Sequence, residues 1–141
     1  MTGFLLDTNV LYELARSRPD NRGARWIDRQ NRLSLFISEV SVGEIHKGIA
    51  KLPASRRREE IKTWLQRVLL HDFHERVLAV DRRVWIAWGR LCGEALRRGR
   101  PLPAIDALLA ATAIEHNLTL VTRDIRPLRG TGAKLYSPWR S

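Results

Sequence analysis

The sequence has 141 residues, 44% of them hydrophobic, which is enough for one domain with a buried core of its own. Its 25 Lys and Arg outnumber 15 Asp and Glu, and the formal net charge of +10 at pH 7 favours a polyanionic partner such as nucleic acid. The single cysteine, Cys92, excludes an internal disulfide and every multi-cysteine metal site.

The chain carries no pattern typical of membrane insertion or secretion. The longest apolar run, residues 107–114, is far too short to span a bilayer, and residues 1–6 lack the basic start and the cleavage site of a signal peptide. A lone cysteine also agrees with a reducing compartment. We therefore expect a single domain over residues 1–141, a cytoplasmic location and no membrane partner.

Strands and helices are predicted to alternate along the chain. Apolar runs predict four or five strands, at 3–7, 33–37, 77–80, 119–122 and, as a short last one, 134–136. The segments between them predict helices at 9–17, 22–31, 40–51, 55–72, 82–98 and 105–116. This alternation predicts an α/β fold in which a parallel sheet of four or five strands carries helices on both faces. Ligands of such sheets bind at the carboxyl ends of the strands.

Two of the predicted helices differ in their expected burial. Helix 105–116 is rich in alanine, whose small side chain lets a helix lie close to a sheet, so we expect it to be the most buried. Helix 55–72 is expected to be more exposed, although it carries an apolar stripe at helical spacing, which indicates either core or a protein interface. The stripe consists of Ile61, Leu65, Val68 and Leu69.

Four acidic residues are predicted to lie at one edge of the sheet. Asp7 and Asp124 follow strands directly, whereas Glu44 and Asp106 lie on helices that neighbour the same edge. Each has an ordinary alternative, because an aspartate at a strand-to-helix turn is often a helix cap and a glutamate is often a surface residue. Independent caps would not need to converge, so the joint placement favours a shared site.

A shared site of four carboxylates has a problem of charge, because like charges a few ångströms apart raise one another's pKa. A hard divalent cation removes this repulsion, and carboxylates without convergent Cys or His select Mg²⁺ or Mn²⁺. On a nucleic-acid phosphate such a metal could activate water for hydrolysis, which is the chemistry of a nuclease. Thr8, Asn9 and Thr122 are candidates to orient the carboxylates or hold a water, although each could equally be a turn residue.

Three motifs in this order, LLDTNV, SEVSVGEIHKGI and PAIDALLAATAIEHNLTLVTRD, resemble the PIN-domain ribonucleases, and among them the VapC-like toxins of bacterial toxin–antitoxin pairs. The final YSPW is similar to members close to the FitB subgroup. The resemblance implies a three-layer α/β/α sandwich and an endoribonuclease that depends on Mg²⁺ or Mn²⁺, usually a homodimer. It also implies a cognate antitoxin that covers the site and joins the toxin in a complex that binds its own promoter DNA.

By position, the resemblance assigns catalysis and metal binding to Asp7, Glu44, Asp106 and Asp124. Many relatives have Asn at the fourth place and another Asp shortly after it, whereas this chain has Asp124 and then Pro127. The fourth ligand is therefore placed less firmly than the first three.

Five arginines are predicted to contact RNA phosphates if they flank the acidic pocket, because the planar guanidinium group matches phosphate geometry. They are Arg97, Arg98, Arg100, Arg123 and Arg126. The alternative is that they form solvated helix ends with no part in binding.

Two other classes of function stay open at this point. In a non-catalytic, basic nucleic-acid-binding regulator, the acids would serve only as caps. A receiver-like phosphoacceptor domain also clusters acids at strand ends, but it needs a lysine after a late strand, where this chain has Arg123, and a sequence pI near 11.1 would be unusual for that class. RNA cleavage that requires a divalent metal would separate the predicted enzyme from both.

Overall fold

The computed structural model describes residues 3–15 and 21–139. Its strands are β1 (Phe4–Leu6), β2 (Leu35–Ser38), β3 (Val77–Leu78), β4 (Thr119–Val121) and β5 (Lys134–Tyr136). Its α-helices are α1 (Thr8–Ala15), α2 (Asn21–Arg29), α3 (Glu39–Lys51), α4 (Arg56–Thr63), α5 (Leu70–Phe73), α6 (Arg82–Arg97) and α7 (Ala104–Glu115). A π-helical segment, Trp64–Leu69, joins α4 to α5, and 3₁₀ turns span Arg32–Ser34 and Arg126–Leu128. Positions 16 and 17 of the predicted helix 9–17 lie outside the described residues.

The five strands form one parallel sheet in the order β3-β2-β1-β4-β5, which confirms the predicted α/β class. The chain leaves the central strand β1 toward β2 and β3 on one side, and it later returns to the other side as β4 and β5. The strand order therefore reverses between β1 and β4. In open parallel sheets the crevice at such a reversal, outside the carboxyl ends of the strands, is where ligands bind.

The sheet is covered on both faces, as the alternation of side chains along β1 shows. Leu5 and Leu6 are both fully buried, and because successive residues of a strand point to opposite faces, each belongs to a different core. Leu6 packs with residues of α1, α3, α4 and the π-helical segment, and Leu5 packs with α7. Every residue of α7 from Ala107 to Ala113 is buried, which agrees with the expected close approach of the alanine-rich helix to the sheet.

The apolar stripe of the predicted helix 55–72 belongs mostly to the chain's own core. Ile61, Leu65 and Leu69 are buried together with residues of α1 and α3, whereas Val68 is 49% exposed. Of the two interpretations of the stripe, core is confirmed for these three residues and a protein interface is wrong for them. Within the described ranges, no helix has both the length and the apolar character needed to cross a membrane.

Candidate active site

Asp7 lies where the sheet reverses its strand order. The backbone N–H of Asp7 donates to the carbonyl of Val121 at 2.9 Å, so the residue extends the pairing of β1 with β4 by one step. Its own carbonyl accepts from the N–H groups of Val10 and Leu11 at 3.0 and 3.2 Å and so starts α1. Leu6 before it and Thr8 after it are both buried, and Asp7 itself is only 5% exposed. Asp7 is thus a buried carboxylate at the edge where a ligand is expected.

Burial, above all, raises the pKa of Asp7 from 3.8 to about 6. A hydrogen bond from the side chain of Thr122 and one from the backbone of Thr8 lower that pKa, whereas the negative charges of Asp106 and Glu44 raise it further. Burial also raises the pKa of Asp106, and the charge of Glu44 adds to the effect. The structure therefore brings Asp7, Glu44 and Asp106 close enough for each charge to act on the others.

A buried hydroxyl holds Glu44 in this arrangement. Thr8 donates its Oγ1 proton to Oε1 of Glu44 at 2.6 Å, and the Oγ atoms of Thr8 and Ser41 are 2.8 Å apart. Ser41 is one helical turn before Glu44 on α3, so both side chains face the start of α1. The hydroxyl of Thr8 links the turn after β1 to the helix that carries the glutamate.

Small residues around Glu44 have a packing reason. A Cβ added to Gly48 would collide with the hydroxyl oxygen of Tyr12, so a larger residue at this position would have to displace the end of that side chain. The pKa of Tyr12 is raised by burial and by the charge of Glu44, which places the phenol beside the acidic group as well. Tyr12 was not among the predicted site residues, and a tyrosine in an apolar helix has no distinctive sequence pattern.

Asp106 reaches the site from the first turn of α7. This helix begins at Ala104 after Pro103, and the indole N–H of Trp88 donates to the carbonyl of Ala104 at 3.0 Å. Since Trp88 belongs to α6, the bond fixes the start of α7 against its neighbour. The position of Asp106 is therefore set by two packed helices.

Asp124 differs from the other three acids, because a cation already binds it. Its side chain is 37% exposed, and its two oxygens accept from Nε and Nη2 of Arg126 at distances between 2.7 and 3.1 Å. The backbone N–H of Arg126 donates to the same carboxylate at 3.0 Å. This bidentate pair raises the pKa of Arg126. The role of Asp124 as a fourth ligand stays a prediction.

Asn9 and Thr122 connect the ends of β1 and β4. The side-chain amide of Asn9 donates to Oγ1 of Thr122 at 3.3 Å, and its carbonyl oxygen accepts from the backbone N–H of Arg123 at 3.3 Å. Thr122 is buried and donates to Asp7. The structure thus places Thr8 and Thr122 in contact with the acids, and Asn9 in contact with Thr122.

The predicted phosphate-binding arginines have different surroundings. Arg97, Arg98 and Arg100 are exposed at the end of α6. Arg123 instead donates to the carboxylate of Glu13 at 2.7 Å, and its guanidinium carbon lies 4.7 Å from the centre of the Trp139 ring. Contact with RNA phosphates stays a prediction for all five arginines.

These acids are suited to a divalent cation by their chemistry. Within residues 3–15 and 21–139, no three His, Cys, Asp or Glu side chains are already arranged as a metal site. Besides burial, which is the main cause, the charges of Asp106 and Glu44 raise the pKa of Asp7, and the charge of Glu44 raises the pKa of Asp106. All three offer hard oxygen ligands, so Asp7, Glu44 and Asp106 fit a hard metal ion by their chemistry.

Comparison with known proteins points to one family. The sequence model of the PIN domain matches residues 4–133. The chain is 34% identical to the plasmid stability protein StbB of Pseudomonas syringae pv. tomato over 97% of its own length and 99% of that protein's. It is 33% identical to the VapC ribonuclease Y4jK of Sinorhizobium fredii over 96% of both chains. It is 30% identical to the toxin FitB of Neisseria gonorrhoeae over 96% of its own length and 97% of the length of FitB.

The solved structures agree with the sequence relatives. The crystal structure of FitAcB from Neisseria gonorrhoeae superposes with a TM-score of 0.90 at 30% identity, and the alignment covers 98% of this chain and 99% of the other. VapC ribonucleases with a PIN domain generally depend on a divalent metal ion.

Proposed function

Because the chain belongs to the PIN domain family, we propose that it is a metal-dependent endoribonuclease that acts as the toxin of a toxin–antitoxin pair. The observation that carries the proposal is the buried Asp7, held at the reversal of strand order beside Glu44 and Asp106. A helix cap needs neither this burial nor two further acids. Clustered carboxylates are costly to bury, even in a protein of net charge +10, unless a bound cation neutralises them.

Asp7, Glu44 and Asp106 would hold the metal ion, with Asp124 as a fourth ligand. Carboxylate ligands favour Mg²⁺ or Mn²⁺ over softer ions. When bound, the ion would polarise the scissile phosphate of RNA and lower the pKa of the attacking water. Release of Asp124 from Arg126 would precede its use as a ligand, because the two oxygens of Asp124 already accept from that guanidinium group.

The chain's own polar residues prepare the ligands for this task. Thr8 donates to Glu44, and Thr122 donates to Asp7, so each carboxylate is oriented before a metal arrives. Ser41 holds the hydroxyl of Thr8, and Asn9 holds that of Thr122. Because these hydrogen bonds already hold the carboxylate side chains in place, less conformational freedom is lost when a metal ion binds.

We further propose that a cognate antitoxin covers this site and that the pair binds its promoter DNA. Support comes from the relatives, one of which is a named toxin, and from the FitAcB structure, which the fold matches over nearly its whole length. In the same proposal the protein is a homodimer, residues 1–141 form a single domain, and the complex acts in the cytoplasm. The excess of basic residues suits an RNA substrate.

The test is cleavage of labelled total RNA by the purified protein, freed of any co-purified partner. EDTA should abolish cleavage, and Mg²⁺ or Mn²⁺ added in excess should restore it. Asp28→Asn, which removes an exposed carboxylate on α2, is the matched control for variants of the site and should cleave as the wild type does. RNA binding without cleavage in either metal would instead favour a non-catalytic nucleic-acid-binding regulator.

A further inference from the structure

A second feature at the end of α6 is a cleft of about 420 Å³ that contains none of the four acids discussed above. One wall comes from the end of α6 and the chain after it, and the other from the turn that follows the 3₁₀ segment Arg126–Leu128. Leu91, Ala95 and Leu102 give it an apolar floor. The volume lies within the range of small-ligand sites, and the lining combines apolar side chains with charged ones.

Three arginines line the cleft, and two glycines put them there. Gly99 has a φ of +70°, a left-handed conformation that ends α6 and lets Arg98 and Arg100 line the same cleft. Gly130 has a φ of +82° and turns the opposite wall, so that Arg129 lines the cleft from there. The convergence of the three side chains therefore depends on backbone conformations that other residues rarely adopt.

The positive charge of the cleft is not neutralised by ion pairs with residues that the structure describes. Arg98, Arg100 and Arg129 form no ion pair with any described residue, in contrast to Arg123 and Arg126. Glu94 also lines the cleft, but one carboxylate faces three guanidinium groups. Unpaired guanidinium groups that converge on one cleft form a fork for phosphate oxygens.

The cleft is a near neighbour of the acidic site. Leu102 on its floor precedes Asp106 by four residues, and four residues of chain span at most about 14 Å. A strand of RNA with one phosphate at the acids can therefore place another part of the same strand in the cleft.

We propose that this cleft, with Arg98, Arg100 and Arg129, is an RNA subsite that binds a nucleotide near the scissile phosphate. The inference rests on the proposed ribonuclease function. The guanidinium groups bind a phosphate, and the apolar floor of Leu91 and Leu102 receives the base or ribose. The subsite adds affinity and positions the strand, and it takes no part in bond breaking.

Salt-titrated RNA binding tests this subsite. The background is Asp7→Asn, which should bind RNA without cleaving it, and the ligand is a short fluorescent single-stranded RNA. Each phosphate contact contributes about −0.7 to the slope of log affinity against log salt. Arg98→Gln with Arg129→Gln should flatten that slope by roughly one unit or more. The matched control, Arg25→Gln with Arg67→Gln, removes the same charge from exposed positions outside the cleft and should change the slope much less.

The two proposals fail in different ways. An unchanged slope in the cleft variant, or an equal change in the control, overturns the subsite even if the wild-type protein cleaves RNA; an acidic protein segment would then be the better occupant. Absence of metal-dependent cleavage by the wild type overturns the proposed function itself. Thermal unfolding of each variant shows whether the exposed substitutions have left the fold intact.

Discussion

Asp7 and Asp124 both follow strands of the same sheet edge, yet their surroundings are opposite. Asp7 is buried, and its neighbours Glu44 and Asp106 are negative, so its pKa is raised to about 6. Asp124 is more than one-third exposed, and its carboxylate is bound by both arms of Arg126. One carboxylate carries a charge that the protein does not balance, and the other is already neutralised.

The difference shows how weak a local sequence pattern is as a guide to electrostatics. Both residues match the pattern of an acid after a buried strand, but only the tertiary contacts decide which acid needs a cation. On this account Asp7 is a primary metal ligand, and Asp124 becomes one only when Arg126 withdraws.

The largest expected effect separates the two acids in catalysis. Asp7→Asn removes one of three primary ligands, and loss of several kcal/mol of metal-ion stabilisation should lower the RNA cleavage rate by roughly 10³-fold. Asp124→Asn should lower the rate by less than about tenfold, since an exposed ion pair contributes little. Initial rates in saturating Mg²⁺ measure both. Equal losses in the two variants would contradict the distinction, as would wild-type activity in Asp7→Asn.

The second expected effect is on stability without metal. The pKa of Asp7 is 3.8 in the unfolded chain and about 6 in the folded protein. Between these two pH values the folded state therefore binds the proton of Asp7 more tightly than the unfolded state does. The contribution of Asp7 to stability is thus fully present below pH 3.8 and is lost as the pH rises through about 6. The loss amounts to about 3 kcal/mol.

Denaturant unfolding in EDTA can detect this loss. The free energy of unfolding of Asp7→Asn minus that of the wild type should rise by up to about 3 kcal/mol between pH 4 and pH 7. Asp28→Asn, which changes an exposed carboxylate, supplies the matched comparison and should give a nearly constant difference. If the difference for Asp7→Asn is also constant with pH, folding does not raise the pKa of Asp7.

The third expected effect concerns the hydroxyl that holds Glu44. Thr8→Val keeps the shape of the side chain but removes the bond to Oε1 of Glu44, so metal affinity should fall by about tenfold. Thr8→Ser retains the hydroxyl and should stay close to the wild type. Calorimetric titration with Mn²⁺ measures both variants. If the two bind Mn²⁺ equally well, the bond does not orient a ligand.

The smallest expected effect tests the pair formed by Asp124 and Arg126. Arg126→Gln frees the carboxylate of Asp124, so metal affinity should increase, although by well under tenfold because exposed ion pairs are weak. Arg67→Gln, an exposed change elsewhere, is the control for net charge. A decrease in metal affinity in Arg126→Gln would mean that Arg126 supports the site rather than competing with the metal.

Much of the fold could be predicted from the sequence because hydrophobic periodicity is a local signal. The five strands and the main helices lie within a few residues of their predicted positions. Several strand boundaries differ by one or two residues, and two of these differences have a local cause. The side chain of Asn31 accepts from the N–H of Leu33 and starts a 3₁₀ turn, which delays β2 to Leu35. β3 stops at Leu78 because its partner strand ends at Ser38, which caps α3.

Less of the site could be predicted, because its contacts join distant parts of the chain. The edge position of Asp7 followed from the strand pattern, and the small neighbours of Glu44 indicated a pocket. The position of Thr8 beside Asp7 suggested that it orients a carboxylate, but the spacing did not indicate that this carboxylate is Glu44. Nothing indicated that Arg123 would pair with Glu13 against the ring of Trp139. The arginine cleft was also only partly predicted, since Arg129 comes from a turn about 30 residues after Arg98.

The most direct test of the central claim is anomalous X-ray diffraction from crystals of the protein soaked in Mn²⁺. The account predicts an anomalous peak between the carboxylates of Asp7, Glu44 and Asp106, and no such peak in crystals of Asp7→Asn treated in the same way. Manganese found elsewhere, with these three carboxylates empty at a concentration that supports RNA cleavage, would contradict it.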